Sequence, residues 1–160
     1  MSILIIDSVE EDLNATANLL RSWGYSDLIS CRTFDEARAR LGNSGLTLSP
    51  HAIHDLELAI IDISQNEDYP KFVQELKEKI YYQDIPILTL SEGSRAEKMP
   101  LAFAYGAADF VSKPIAEYEL RARVRSCLRL KHEVDRRKAR ERELLEASHQ
   151  LSDLNRILAT

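Results

Sequence analysis

Four short apolar runs, each stopping on a polar residue, constrain the fold of this chain more than anything else in it. They are Ile3-Leu4-Ile5-Ile6 ahead of Asp7, Leu58-Ala59-Ile60-Ile61 ahead of Asp62, Pro86-Ile87-Leu88-Thr89-Leu90 ahead of Ser91, and Asp109-Phe110-Val111-Ser112 ahead of Lys113. A strand that is apolar at successive positions needs cover on both faces, which is the condition of a parallel sheet sandwiched between helices. Between the runs the apolar spacing lengthens to three and four residues. Leu13, Ala17 and Leu20 predict a helix over 13–23, stopped by Gly24. Leu28 to Cys31 reads as another strand. Thr33-Phe34-Asp35-Glu36 then has capping-box spacing ahead of a helix through Leu41. Residues 42–50 read as loop. Phe72, Val73, Leu76 and Ile80 place an amphipathic helix over 69–82 with Pro70 in its first turn, and a short helix is expected around 101–105, broken by Gly106. Five strands alternating with helices specify an α/β architecture, a parallel sheet with right-handed crossovers and helices on both faces.

In such sheets functional groups collect at the carboxyl ends of the strands. Here those ends carry Asp7, Asp62, Ser91 and Lys113. Two carboxylates on neighbouring strands form a hard, oxygen-rich site of the kind that holds Mg²⁺ with room for water and a phosphate. A carboxylate can itself attack phosphorus. The remaining work of phosphoryl transfer is positioning and charge neutralisation, which an ammonium and a hydroxyl supply. Singly, each residue has a plainer reading: a turn-forming or capping aspartate, a capping serine, a solvated lysine. Together their roles are complementary.

The final segment meets no Pro or Gly from Glu117 to Thr160, a helix longer than a compact domain can bury. Leu120, Val124, Cys127, Val134, Leu144, Leu151, Leu154 and Leu158 recur at spacings of three, four or seven, a heptad seam interrupted by the charged stretch 135–143. This predicts a division into a body, 1–128, and a helical extension, 129–160, whose seam favours a homodimeric coiled coil over a solvated single helix. Charge divides in the same way. Residues 1–116 carry 10 Lys+Arg against 18 Asp+Glu, and residues 117–160 carry 11 against 8. The basic excess of the tail is interleaved with acids and has no aromatic residue after Tyr118, which argues against nucleic-acid binding. No apolar run approaches the ~20 residues that cross a bilayer, and the apolar start is too short for a secretory signal, so a cytoplasmic protein without a membrane partner is expected. Cys31 and Cys127 have neither zinc-site nor disulfide-framework spacing.

The runs ILIID, LAIID, PILTLS and GAADFVSKP, in this order over residues 1 to about 128, resemble the receiver domain of two-component response regulators. The resemblance implies a doubly wound, flavodoxin-like sheet of order 2-1-3-4-5. It also implies that Asp62 takes phosphate from a histidine kinase or phosphotransfer protein. Asp7, Asp62 and the main-chain carbonyl of Ser64 would hold Mg²⁺, Lys113 would be the conserved lysine, and Ser91 with Phe110 would form the switch. The fifth-helix face and its extension would relay the change to a partner copy or to an output domain outside these 160 residues. Beyond its own phosphorylation and dephosphorylation, such a domain is not an enzyme.

Three positions depart from the family pattern. Ser8 stands where a second acid is usual, which weakens the expected metal site unless Asp7, Glu10 or Glu11 compensates. The loop after Asp62 lacks Pro-Gly, and Glu92 follows Ser91 where a small residue is usual. The alternative reading is therefore a degenerate receiver that docks or dimerises without phosphorylation. A haloacid-dehalogenase-like phosphatase, which wants an acid two residues beyond its nucleophile, is disfavoured by Ser64.

Overall fold

The structure, a computed structural model, describes residues 1–42, 55–64, 68–93 and 95–159, apart from the side chains of 95, 96 and 98. Most of the expected loop over 42–50, and residues 65–67 of the loop after Asp62, lie outside the described residues.

The elements alternate as anticipated: β1 (Ser2–Ile6), α1 (Glu10–Ser22), β2 (Leu28–Cys31), α2 (Phe34–Arg40), β3 (Leu56–Asp62), α3 (Tyr69–Glu78), β4 (Ile87–Ser91), α4 (Arg95–Ala104), β5 (Asp109–Ser112) and α5 (Glu117–Leu158). All pairings are parallel and the order is β2-β1-β3-β4-β5. The continuous apolar runs are explained by two-sided burial. Successive side chains of a strand face opposite ways, so Ile3 and Ile5 of β1, with Leu58 and Ile60 of β3, pack under Leu13, Leu20, Leu120 and Val124 from α1 and α5. Leu4, Ile6, Ala59 and Ile61 face the other way, toward Phe34, Phe72, Val73 and Leu76 from α2 and α3. Both thiols are part of these layers, and burial pushes Cys31 up to about 11 and Cys127 up to about 12, which keeps them protonated.

The helix limits show what sequence periodicity missed. α1 starts one turn before the expected 13–23, at Glu10, because its first turn is wholly acidic (Glu10, Glu11, Asp12) and shows no apolar spacing. Acids there complement the helix dipole. Gly24, at φ 96°, takes the left-handed conformation that ends the helix. The Thr33 hydroxyl accepts the Glu36 N–H as a capping residue should, while the Glu36 carboxylate accepts the Arg32 N–H. α3 stops at Glu78, short of the expected residue 82, since Lys79 is extended. Ile80 is 76% exposed, not part of an apolar face, and Tyr82 is tucked into the core instead. α4 begins at Arg95, well before the short helix expected around 101–105, and contains Pro100. The Lys113–Pro114 peptide is cis.

α5 is 42 residues long, about 63 Å at the rise of an α-helix. Leu120, Val124, Cys127 and Leu128 bury its first part against the sheet. Next, His132 meets Glu57 at 2.8 Å and Lys138 meets Asp84, pairing the helix with the amino-terminal edge of the sheet. Beyond them Leu144, Leu151, Leu154, Ile157 and Leu158 are all more than half exposed. Among the described residues no helix is long and apolar enough to cross a membrane.

Candidate functional site

The strand order brings the four strand-end residues together. β3 lies between β1 and β4, so Asp62 at its end is flanked by Asp7, just past Ile6 (the partner of Ile61), and by Ser91. Ser91 pairs in turn with Ser112, which places Lys113 at the same edge. The β1/β3 boundary is where the winding reverses, the position at which open α/β sheets leave a crevice.

Lys113 reaches across that edge. Its Nζ lies 2.6 Å from Asp62 Oδ2, 2.8 Å from Asp7 Oδ2 and 2.8 Å from Asp12 Oδ2, and its side chain is only 8% exposed. It is not the solvated charge of the plainer reading. Burial works against this ammonium, yet its hydrogen bonds to Asp12, Asp62 and Asp7 more than offset that and hold it well above the usual lysine range. Its stabilisation is therefore complete below the ordinary lysine pKa and is lost only in strong alkali. Asp7, 1% exposed, is pushed up mainly by burial and further by the Asp62 charge, against hydrogen bonds from Lys113 and from the Val9 N–H, 3.0 Å from Oδ1.

Asp12 is the member that sequence reasoning missed. With the helix placed from Leu13 it fell in a loop. With α1 starting at Glu10 it occupies the third helical position and turns inward. Glu10, one candidate to compensate for Ser8, instead lies 3.8 Å from Arg32, Glu11 is exposed, and Ser8 is exposed with its carbonyl accepting from Arg32.

Around Asp62 the loop residue Ser64 contributes twice. Its N–H donates to Oδ1 at 2.9 Å, and its hydroxyl donates to Oδ2 at 3.2 Å. The Ser91 hydroxyl donates to the Glu92 carbonyl at 2.9 Å. Phe110, 2% exposed, packs in the layer that holds Tyr69 and Phe72. Beside Lys113, a hollow of about 480 Å³ opens between α1 and the segment after β5, lined among others by Asp12, Thr16, Leu19, Glu92 and Ile115.

Three carboxylates about one ammonium leave a surplus of two negative charges, on hard oxygens. Among the described residues no group of three or more His, Cys, Asp or Glu side chains is placed to hold a metal ion. A surplus of negative charge on hard carboxylate oxygens is of the kind that suits Mg²⁺. The surplus has a measurable consequence. A carboxylate whose folded pKa is raised costs stability above that pKa, and the cost disappears as pH falls toward the unfolded value. Asp7→Asn removes one negative charge while leaving Lys113 two acidic partners. At pH 7 in metal-free buffer its melting temperature should rise by about 3 °C, the effect of roughly 1 kcal/mol in a domain of this size. Calorimetry showing a lower melting temperature would reverse this account of the site.

Neither a family model nor a curated protein sequence matches the chain. Solved structures do. The signal receiver domain of an HD domain-containing protein from Pseudomonas fluorescens Pf-5 superposes with a TM-score of 0.66 at 22% identity, over 82% of this chain and 97% of that one. A CheY-like response regulator receiver domain protein from Methanospirillum hungatei JF-1 gives 0.65 at 18%, over 82% and 96%. A structure described as adenylate cyclase from Rhodopirellula baltica gives 0.66 at 18%, over 91% and 96%. The chain thus has the fold of response-regulator receiver domains: a flavodoxin-like parallel sheet of order 2-1-3-4-5, continued by a long C-terminal helix.

Proposed function

We propose that this chain is a phosphoacceptor signalling domain, taking a phosphoryl group onto Asp62 from the phosphohistidine of a sensor kinase or phosphotransfer protein in the cytoplasm. The observation that carries the reading is the buried Asp62 carboxylate at the winding reversal, with the Lys113 ammonium 2.6 Å from Oδ2. A nucleophilic oxygen there has a fixed cation beside it to stabilise charge on the transferred group, and phosphoryl transfer needs little else from a protein. Asp7, Asp62 and the Ser64 carbonyl would hold Mg²⁺, which when bound offsets the charge of the incoming phosphate. The hollow beside Lys113 gives a partner's phosphohistidine an approach. Ser91 and Phe110 would form the switch, drawing the β4–α4 loop toward the phosphate and shifting a two-state equilibrium. α5 relays the change to a second copy of the chain or to an output. The chain turns over no substrate beyond its own phosphate.

The test is intact-mass spectrometry of the protein and of Asp62→Asn after incubation with acetyl phosphate and Mg²⁺. An adduct of one phosphate on the parent and none on the variant is the expected result. If neither folded protein gains mass, the second reading takes over, a docking module that works without phosphorylation. Ser8 is the residue that favours that alternative.

A further inference from the structure

Ser64 ties the loop after β3 to the end of β4. Its hydroxyl donates to Asp62 Oδ2 at 3.2 Å and at the same time accepts the Glu92 N–H at 2.9 Å. Glu92 is thereby held at both ends of its backbone, since its carbonyl accepts from the Ser91 hydroxyl at 2.9 Å. Ser64 stands on the loop after β3, Ser91 and Glu92 at the end of β4, and strand pairing holds those two ends side by side.

We propose that the Ser64 hydroxyl is a latch for the unphosphorylated state, a positioning residue that occupies the place a phosphoryl oxygen will take. The inference rests on the phosphoacceptor reading of Asp62. When a small donor such as acetyl phosphate reacts, the bond from phosphorus to the acetyl oxygen breaks, and its electron pair leaves on acetate. A new P–O bond forms to an Asp62 carboxylate oxygen, with no change in proton count. The phosphoryl oxygens then need donors, and a backbone N–H at the end of a neighbouring strand is well suited to them. In the unphosphorylated chain the Glu92 N–H is committed to Ser64, and Asp62 Oδ2 is engaged by the same hydroxyl. Both bonds must open before the site can close on phosphate. Opening them frees the Glu92 backbone to move with Ser91, so the latch couples the acceptor to the β4–α4 loop as well as slowing the reaction.

The experiment compares the full chain with Ser64→Ala by two measurements. One is the initial rate of phosphate gain from acetyl phosphate with Mg²⁺, followed by intact mass. The other is amide hydrogen exchange at Glu92, read by NMR without any donor. The latch requires Ser64→Ala to label roughly fivefold faster, the factor expected for loss of one hydrogen bond from the ground state. It also requires the Glu92 amide to exchange faster while the amides of β3 and β4 keep the parent's protection. Equal or slower labelling, or a Glu92 amide that exchanges as in the parent, overturns the latch alone. No labelling of either chain overturns the phosphoacceptor reading and the latch with it.

Discussion

Lys113→Ala is expected to fold cooperatively but to melt about 10 °C below the parent at pH 7. In the parent one ammonium serves three carboxylates, and the Asp7 and Asp62 side chains are 1% and 4% exposed. Removing it leaves buried acids without their cation, a change that costs roughly 3 kcal/mol, or about 10 °C in a domain of this size. The pH dependence should change as well. Without the ammonium, the burial and the Asp62 charge that already raise Asp7 lose their chief opponent, so the folded state binds a proton there still more tightly than the unfolded one. The variant should therefore gain on the parent as pH falls from 7 toward 5. Phosphate gain from acetyl phosphate should drop by roughly 100-fold, the scale of losing one preorganised charge at a transferring group. Thermal melts across that pH range and the mass assay decide the matter. A variant that melts with the parent at every pH would return Lys113 to a solvated charge.

Leu151→Glu is expected to turn a dimer into a monomer without changing the melting of the body. Leu144, Leu151 and Leu158 recur every seven residues with Leu154 between them, all more than half exposed on a single helix. A lone helix of that length is poorly stable in water, and burying such a seam against a copy of itself is the ordinary remedy. Sedimentation equilibrium of the parent should give twice the 18.2 kDa chain mass, and the variant the chain mass alone. The body should be indifferent, because the last α5 residue buried against it is Leu128. A monomeric parent at high concentration, with and without a phosphate analogue, would remove the homodimer from the proposal.

Much of this could be read from the residues because two-sided burial writes each parallel strand as an unbroken apolar run, and the residue that ends the run marks the functional edge. Asp7, Asp62, Ser91 and Lys113 were found in that way, and the structure brings them to one edge. Asp12 was hidden for a physical reason. An acid in a helix's first turn looks the same whether it faces solvent or a buried lysine contributed from more than a hundred residues away. Ile80 misled in the opposite direction, since it fits the helical period of Phe72 and Leu76 while the backbone leaves the helix before reaching it. The bridging hydroxyl of Ser64 depends on how two loops meet, which no local pattern records.

Because α5 runs without interruption from the sheet to Leu158, any tilt at the buried patch around Val124 would be carried along its whole free length. A tilt of only 5° there would carry Leu158, about 50 Å away along the helix, sideways by roughly 4 Å, most of one helical turn. The Glu57 and Asp84 pairings sit partway along it, where they can hold or release the arm at little cost. A displacement too small to notice in the core would thus be large enough, at the leucine seam, to decide whether two such helices mesh or miss.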